Sequence, residues 1–312
     1  MTSIAPDVTD PRPASPSAPP TAPGAGPRRK RLRALREANW LIKLCIAMLV
    51  LLVAIALLAP LIAPHDPNAQ SLLARLRPPY GFERYREGYW LGTDELGRDI
   101  LSRLLYGLRF TFLIALVGSV ISLLIGTTIG IVAGYLGGWV DSVLMAIVDV
   151  QIAFPFTLMA LLAAAVFGND LTIFIIVVGL AGWDNYARVV RGQVLSLREA
   201  PFIASAKVVG ASPARIVGVH MLPNIASPII VLWTFGISNV ILLESSLSFL
   251  GLGVQPPTAT LGSMTGFGRD YLASYPHIGV APAMLILIIA LVLLLLGDWL
   301  RDTLDVRLKR QA

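Results

Sequence analysis

The sequence predicts an all-α membrane protein with six transmembrane helices. Of its 312 residues, 55% are hydrophobic and only 14% are charged, and the mean hydropathy is +0.72. Soluble domains are much less apolar and carry about 25% charged residues. Apolar stretches near the length needed to cross a bilayer, about 20 residues, recur along the chain. They occupy residues 41–63, 112–135, 143–167, 171–190, 225–246 and 278–296.

The N-terminal 27 residues are rich in Pro, Ala, Ser and Thr, a composition typical of disorder. The stretch RRKRLRALREANW follows at 28–40 and has the basic, aromatic-ended pattern of a cytoplasmic membrane flank. We therefore predict that 1–39 is a disordered and basic cytoplasmic segment. The apolar run after it is too long for a signal peptide and lacks a cleavage pattern, so 40–63 is predicted as the first transmembrane helix.

With the N-terminus inside, the connections alternate between the two sides of the membrane. Residues 64–111 form an extracytoplasmic loop, 112–300 a five-helix core, and 301–312 a cytoplasmic tail. Within the core, 168–170 and 247–277 face outward, whereas the loop 191–224 faces the cytoplasm. Most Lys and Arg residues then lie inside, as the positive-inside rule requires. Membrane orientation thus explains the net charge of +6 without nucleic acid as a partner.

The cytoplasmic loop contains signals for two short helices joined by an elbow. Pro201 suits the first turn of one helix, and Gly210 supplies a left-handed residue after its end. Ser212 is a capping residue for a second helix, with Pro213 at its first position, and that helix is expected to stop before Pro223. The pattern alone fits either a surface on which another protein docks or an amphipathic connector that lies on lipid.

The spacing of this loop resembles the cytoplasmic loop of ABC importer permeases. That signature is E-A-A, three residues, Gly, nine residues, then I-x-L-P. In this chain the glutamate position holds alanine. The matching residues are Ala204, Ser205, Ala206 and Gly210, followed by His220, Met221, Leu222 and Pro223.

Four further motifs, in order, resemble the dipeptide, oligopeptide and nickel type of permease, and within it the second of two paired membrane subunits. Together with the loop they cover most of residues 40–308. They are LGTDELGRDILSRLLYG at 91–107, WDNYARVVRGQVLSLRE at 183–199, ESSLSFLGLGVQPP at 244–257 and GDWLRDTLDVRL at 297–308.

This resemblance implies a type I ABC importer architecture in the bacterial cytoplasmic (inner) membrane, with both termini cytoplasmic. It implies a homologous second permease subunit, two ATPase subunits that use ATP and Mg, and an extracytoplasmic solute-binding protein. The loop is then the ATPase-coupling loop. Its expected residues are Ala204, Ser205, Ala206, Gly210, Ser212, Pro213, His220, Leu222 and Pro223. Peptides are the expected solute, with nickel or another small solute as alternatives.

The sequence itself gives this chain no ATP site and no catalytic site. A phosphate-binding loop requires Gly-x-x-x-x-Gly-Lys-Ser/Thr, and no lysine of the chain follows a glycine. No HExxH or GxSxG motif occurs, and the single cysteine, Cys45, leaves no disulfide or thiolate cluster. We therefore expect no enzymatic activity, no metal and no cofactor bound by this chain.

Acidic residues inside transmembrane segments usually face a cavity or a partner. Asp149 and Glu244 are therefore candidate pathway residues, and for each the alternative is a hydrogen bond to a neighbouring helix or a place in an interfacial layer. As an ion relay they would instead suit an ion-coupled secondary transporter, which is the competing function. Pro155 is expected to kink the third helix.

Two more features have alternative interpretations. Glycines at 126, 130 and 134 predict close helix packing, either internal or against the partner permease. In the outer loop, Asp94, Glu95, Arg98 and Asp99 form either a docking surface for the binding protein or an internal ion network.

Overall fold

A computed structural model describes residues 39–168 and 170–304. The predictions for 1–38 and for most of the tail lie outside the described residues. The described chain is helical, and its only β-type pairing is an isolated bridge between Thr93 and Asp99. The helices are α1 (Trp40–Ile62), α2 (Ile100–Leu136), α3 (Gly138–Ala153), α4 (Phe156–Phe167), α5 (Leu171–Gly179), α6 (Trp183–Arg198), α7 (Pro201–Val208), α8 (Pro213–Arg215), α9 (Leu222–Phe249), α10 (Leu261–Gly268) and α11 (His277–Leu304).

In the described residues, five helical stretches are long and apolar enough to cross a membrane. They are α1, α2, α5 with α6, α8 through α9, and α11. The predicted third span is instead the pair α3 and α4, which meet at an angle of 85°. The expected kink is thus a complete break. Phe154, which precedes the proline, takes an extended conformation, and Pro155 lacks the N–H needed to continue the helix.

The fourth span is also interrupted. α5 ends at Gly179, and α6 begins after Gly182, which has the left-handed φ of 77°. α6 then continues to Arg198, so the first eight residues of the predicted loop 191–224 are helical. The turn places an apolar helix and an amphipathic helix within one crossing.

The predicted extracytoplasmic loop is shorter than expected because α2 begins at Ile100. The carboxylate of Asp99 accepts hydrogen bonds from the backbone N–H and the hydroxyl of Ser102, which caps the helix start. The second segment predicted to face outward, 247–277, contains α10, which packs against α2, α9 and α11. Leu261 and Met264 of α10 are buried there, so this segment is part of the core.

The glycine stripe of α2 packs inside the chain, against α6. A Cβ added at Gly126 would lie 2.2 Å from the carbonyl oxygen of Trp183, and one at Gly130 would lie 2.6 Å from that of Ala187. At Gly134 the nearest atom is the Cβ of Val194, at 2.9 Å. The internal alternative is therefore confirmed, and the two helices approach at backbone distance.

These contacts also show that α2 and α6 run parallel, because the partner number rises as the glycine number rises. The chain must therefore return across the molecule between them, and only the bent pair α3 and α4 does so. α9 and α11 run antiparallel, since Phe235 lies against Gly297 whereas Ser238 donates to the carbonyl of Ala290. The start of α1 lies near the end of α11, because Cys45 is in one cluster with Leu296. The start of α1, residues 199–212 and the end of α11 therefore share one side, which we call the loop side.

Candidate functional site

The elbow predicted at Gly210 is present. Gly210 has a φ of 82°, its N–H donates to the carbonyl of Lys207, and the N–H of Ala211 donates to that of Ala206, both at 3.0 Å. This is the hydrogen-bond pattern of a Schellman motif, in which a left-handed glycine ends a helix. The left-handed conformation of Gly210 therefore produces the elbow.

The second helix begins as predicted but does not stop before Pro223. The hydroxyl of Ser212 accepts from the N–H of Arg215 at 3.4 Å, and Pro213 follows in the first helical position. After Arg215 the chain forms a π-helical turn, Ile216–Met221, and continues directly into α9. The prediction of a break there is therefore wrong.

The π turn explains how Pro223 is accommodated. In an α-helix, a proline lacks its hydrogen bond and its ring crowds the carbonyl four residues earlier. Here the N–H of Leu222 donates to the carbonyl of Val217, five residues back, so the turn before Pro223 is wider. As a result the loop and a membrane-spanning helix form one continuous helical element.

One face of the loop is anchored to the rest of the chain. Ile203 of α7, with Ile216 and Met221 of the π turn, is buried in a small cluster. The cluster also includes Val190 and Val194 of α6. This face of the loop is therefore packed against α6 and the start of α9.

The opposite face is exposed and carries apolar side chains. Val208 and Val209 are 89% and 87% exposed, and Phe202 is 44% exposed. Ala204 and Ser205 are also exposed, and the Ser205 hydroxyl donates to the carbonyl of Pro201 within its own helix. Small side chains beside large apolar ones form a shallow surface for a partner to approach.

The carboxylate of Asp149 accepts a 2.7 Å hydrogen bond from Arg188 of α6. Their side chains are 66% and 50% exposed, respectively. A second pair on the same two helices joins Asp141 to both Nε and Nη2 of Arg191. The geometry of Asp149 thus matches the alternative in which it contacts a neighbouring helix.

Glu244 is fully buried and also serves a neighbouring element. Its carboxylate accepts from the hydroxyls of Ser248 at 2.8 Å and Thr260 at 2.7 Å. The Thr260 hydroxyl in turn accepts from the N–H of Ser263, which caps α10. Glu244 therefore holds the start of α10 against α9.

The charged residues of the predicted outer loop form the internal ion network. Arg98 donates to Asp94 at 2.6 Å and to Glu95 at 2.9 Å, and Arg103 lies 3.4 Å from the same Asp94 oxygen. Asp94, Arg98 and Asp99 are each at most 4% exposed. Buried side chains cannot form a docking surface, so that interpretation is corrected for these three residues.

A cavity of about 490 Å³ lies between α2, α6 and α9, where the sequence had predicted no site. Two exposed asparagines, Asn185 and Asn239, line it. The sequence contains a signal for both, because each is a polar residue within an apolar helix, although the predicted pathway residues were the acidic Asp149 and Glu244. The remaining lining residues are Ser119, Ser122, Ala181, Gly182, Tyr186, Val189, Leu232, Phe235, Gly236, Val240 and Leu243.

Residues 126–310 match the family described as the inner membrane component of binding-protein-dependent transport systems. Residues 33–79 match the N-terminal transmembrane domain of oligopeptide transport permease C. The first match alone spans more than half of the chain and includes the whole loop of α7 and α8.

Individual relatives align over most of their length. The dipeptide transport system permease DppC of Haemophilus influenzae is 36% identical over 262 residues, 84% of this chain and 89% of that protein. The glutathione transport system permease GsiD of Pectobacterium atrosepticum is 38% identical, over 83% and 85% of the two chains. The oligopeptide permease OppC of Bacillus subtilis is 36% identical over 88% of each.

Solved structures support the fold independently. An inward-facing structure of the MetNI methionine ABC transporter superposes with a TM-score of 0.55, covering 66% of this chain and 98% of the matched one, at 18% identity. A second crystal form gives 0.53. An identity of 18% supports the fold alone, whereas the relatives at 36% and 38% identity show the family. The chain therefore belongs to the ABC importer permeases that form the inner membrane component of binding-protein-dependent transport systems, and among them to the DppC and OppC type.

Proposed function

We propose that this chain is one half of the membrane pathway of an ATP-driven peptide importer. The relatives described above are named for dipeptides, oligopeptides and glutathione, which share a peptide main chain. In this proposal a homologous second permease completes the pathway, and a solute-binding protein delivers the cargo. Two ATPase subunits bind ATP and Mg on the loop side, which is the cytoplasmic side.

The observation that carries the proposal is the continuity of the loop with a crossing helix. α8 passes through the π turn into α9 without a break, and α7 is anchored to the same cluster. A partner that moves the loop therefore moves α9 and α6 with it. Differential contact of the ATPases with the loop in their open and closed states would transmit the energy of ATP binding.

The exposed face of the loop suits a groove on an ATPase subunit. Val208, Val209 and Phe202 provide apolar contact, and Ala204, at the position of the family glutamate, has no charge to pair. We infer that docking here rests mainly on apolar burial and on the shape of the elbow. A lipid surface would also accept the valines, so the test has to measure ATPase binding directly.

The test replaces Gly210 with valine and, separately, with asparagine. Its φ of 82° is strained for a β-branched side chain by about 1 kcal/mol or more, whereas asparagine tolerates it better. No described atom lies within 4 Å of an added Cβ, so backbone strain is the main change. We expect Gly210→Val to insert and pair with its partner permease but to lose ATPase copurification or coupled uptake.

Gly210→Asn is the matched control and should retain both, because it keeps the elbow. Copurification of the ATPase subunits and solute uptake are measured together, normalised to permease in the membrane. Normal docking and uptake in Gly210→Val would mean that the loop is only a surface connector.

A further inference from the structure

Two amide side chains line the cavity between α2, α6 and α9. Asn185 of α6 and Asn239 of α9 line it, and neither forms a side-chain hydrogen bond with the described part of the chain. Both belong to helical stretches that are long and apolar enough to cross a membrane. An amide left against hydrocarbon loses its hydrogen bonds and costs several kcal/mol. The two side chains therefore require water, a polar molecule or polar groups of another subunit.

The walls of the cavity are fixed by internal contacts. The hydroxyl of Tyr186 donates to the carbonyl of Leu232 at 3.4 Å, and it occupies the place that a Cβ on Gly236 would take, 2.0 Å away. Asn185 precedes this tyrosine, and Asn239 lies three residues after this glycine, on the same side of α9. The close approach of α6 to α9 thus sets the spacing of the two amides.

Other polar groups in the wall are already committed. Ser122 donates to the carbonyls of Gly179 and Ala181, and Ser119 accepts from the indole N–H of Trp233 at 3.1 Å. The asparagines are consequently the groups that remain to bind a molecule in the cavity.

The chemistry of the lining selects the class of that molecule. None of the described residues that line the cavity is charged or is a histidine, so it offers neither metal ligands nor an ion relay. Each asparagine offers one acceptor carbonyl and two donor N–H groups, which complement the N–H and C=O of a peptide unit. A volume near 490 Å³ lies in the range of small-molecule sites.

A polar stripe on α6 extends from the cavity to the loop side. Its exposed positions are Asn185, Arg188, Gly192 and Ser196, spaced three or four residues apart. An exposed face of α6 therefore extends from the cavity to the loop side, and on it Arg188 is paired with Asp149 of α3.

We propose that Asn185 and Asn239 form a solute-binding site in the membrane pathway that holds the main-chain amides of a small peptide in transit. This inference rests on the proposed function of peptide import. It assigns a permease contact to the main chain, which all peptides share, and leaves the peptide side chains to the apolar walls. It also excludes Asp149 and Glu244 as the residues that contact solute in this cavity.

The experiment uses the intact transporter with both permeases, both ATPases and the binding protein. The probes are radiolabelled alanyl-alanine and its analogue with an N-methylated peptide bond, which lacks the N–H. Asn185→Leu, Asn239→Leu and the double variant are compared with Thr234→Val. That control removes a hydroxyl from α9 that is bonded within its own helix and does not line the cavity.

We expect the double variant to keep its subunits and its ATP hydrolysis, while peptide imported per ATP falls by about tenfold, the factor that about 1.4 kcal/mol of lost binding free energy produces. The preference for alanyl-alanine over the N-methyl analogue should also diminish. The same binding protein serves every variant, so a change in that ratio reports the permease. Thr234→Val should behave as wild type.

Unchanged uptake and an unchanged ratio in the double variant would overturn the site. Loss of the second permease from the double variant would also overturn it, because the amides would then belong to a subunit interface. If the wild-type transporter imports neither peptide and its ATPase responds only to a solute that is not a peptide, the proposed function itself is wrong and the peptide assignment falls with it. These three results are distinguishable in one set of measurements.

Discussion

At the scale of single residues, the glycines of α2 show how strongly packing restricts a side chain. Gly130 lies against the backbone of Ala187, whereas Gly192 on the exposed face of α6 has no described atom within 4 Å of an added Cβ. Alanine at the first position must force the two helices apart. Alanine at the second removes only the flexibility of glycine.

We therefore expect Gly130→Ala to destabilise the permease by about 1–3 kcal/mol, as overpacking does. Gly192→Ala should be neutral or stabilising by up to about 1 kcal/mol. Thermal unfolding of the purified complex in detergent measures both. Equal stability of the two variants would show that α2 and α6 do not pack at backbone distance.

Residue spacing was sufficient to predict the glycine stripe, the elbow at Gly210 and the Ser212 cap, because each depends on neighbours within a few positions. The roles of Asp94, Arg98 and Glu244 depend on partners brought in by tertiary structure. Glu244 is bonded to Thr260, sixteen residues away on another element. Sequence alone identified these residues as unusual and could not decide between cavity, partner and internal contact.

At the scale of helices, the sequence predicts where apolar segments lie better than where they break. The helices do break at Pro155 and near Gly182, but the angle between the two parts of each span depends on packing. At Pro223 the predicted break is absent, because a π turn accommodates the proline and the helix continues. A proline or glycine therefore sets the local free-energy cost of continuing a helix. Packing around that residue then determines whether the helix breaks or continues through a π turn.

The ion pair between Asp149 and Arg188 can be used to test whether Asp149 joins two helices or lines the pathway. If the pair only joins α3 to α6, its polarity should not matter. We expect Asp149→Arg to lower uptake by placing like charges together and the exchange Asp149→Arg with Arg188→Asp to restore most of it.

Uptake and copurification of the subunits are measured for each variant. Asp270→Arg, which makes the same charge change at another exposed position, is the control. The fall in uptake for Asp149→Arg should be small, because an exposed ion pair contributes only about 0–1 kcal/mol of stability. Failure of the exchange to restore uptake, with assembly intact, would return Asp149 to the pathway.

At the scale of the whole molecule, the bent pair α3 and α4 determines the topology. The parallel packing of α2 and α6 requires that the chain return between them, so the pair has to complete a crossing despite its 85° bend. Six crossings then place both ends of the described chain on the loop side. The distribution of Lys and Arg predicts that this side is cytoplasmic.

Cysteine labelling tests this arrangement. The single native cysteine, Cys45, is buried, so Cys45→Ala gives a background without thiols. Single cysteines are then introduced at exposed positions: Glu87 and Asp170 on the far side, and Ser142 and Asp302 on the loop side. A membrane-impermeant maleimide is applied to spheroplasts before and after permeabilisation.

We expect positions 87 and 170 to react in intact spheroplasts and positions 142 and 302 to react only after permeabilisation. Position 170 is the sensitive one, because it follows the bent pair directly. If it reacts only after permeabilisation while 87 reacts before, α3 and α4 form a re-entrant hairpin, and residues 199–212 would then face away from the cytoplasm. ATPase docking on that loop would become impossible, so the same measurement that tests the topology also tests the coupling mechanism.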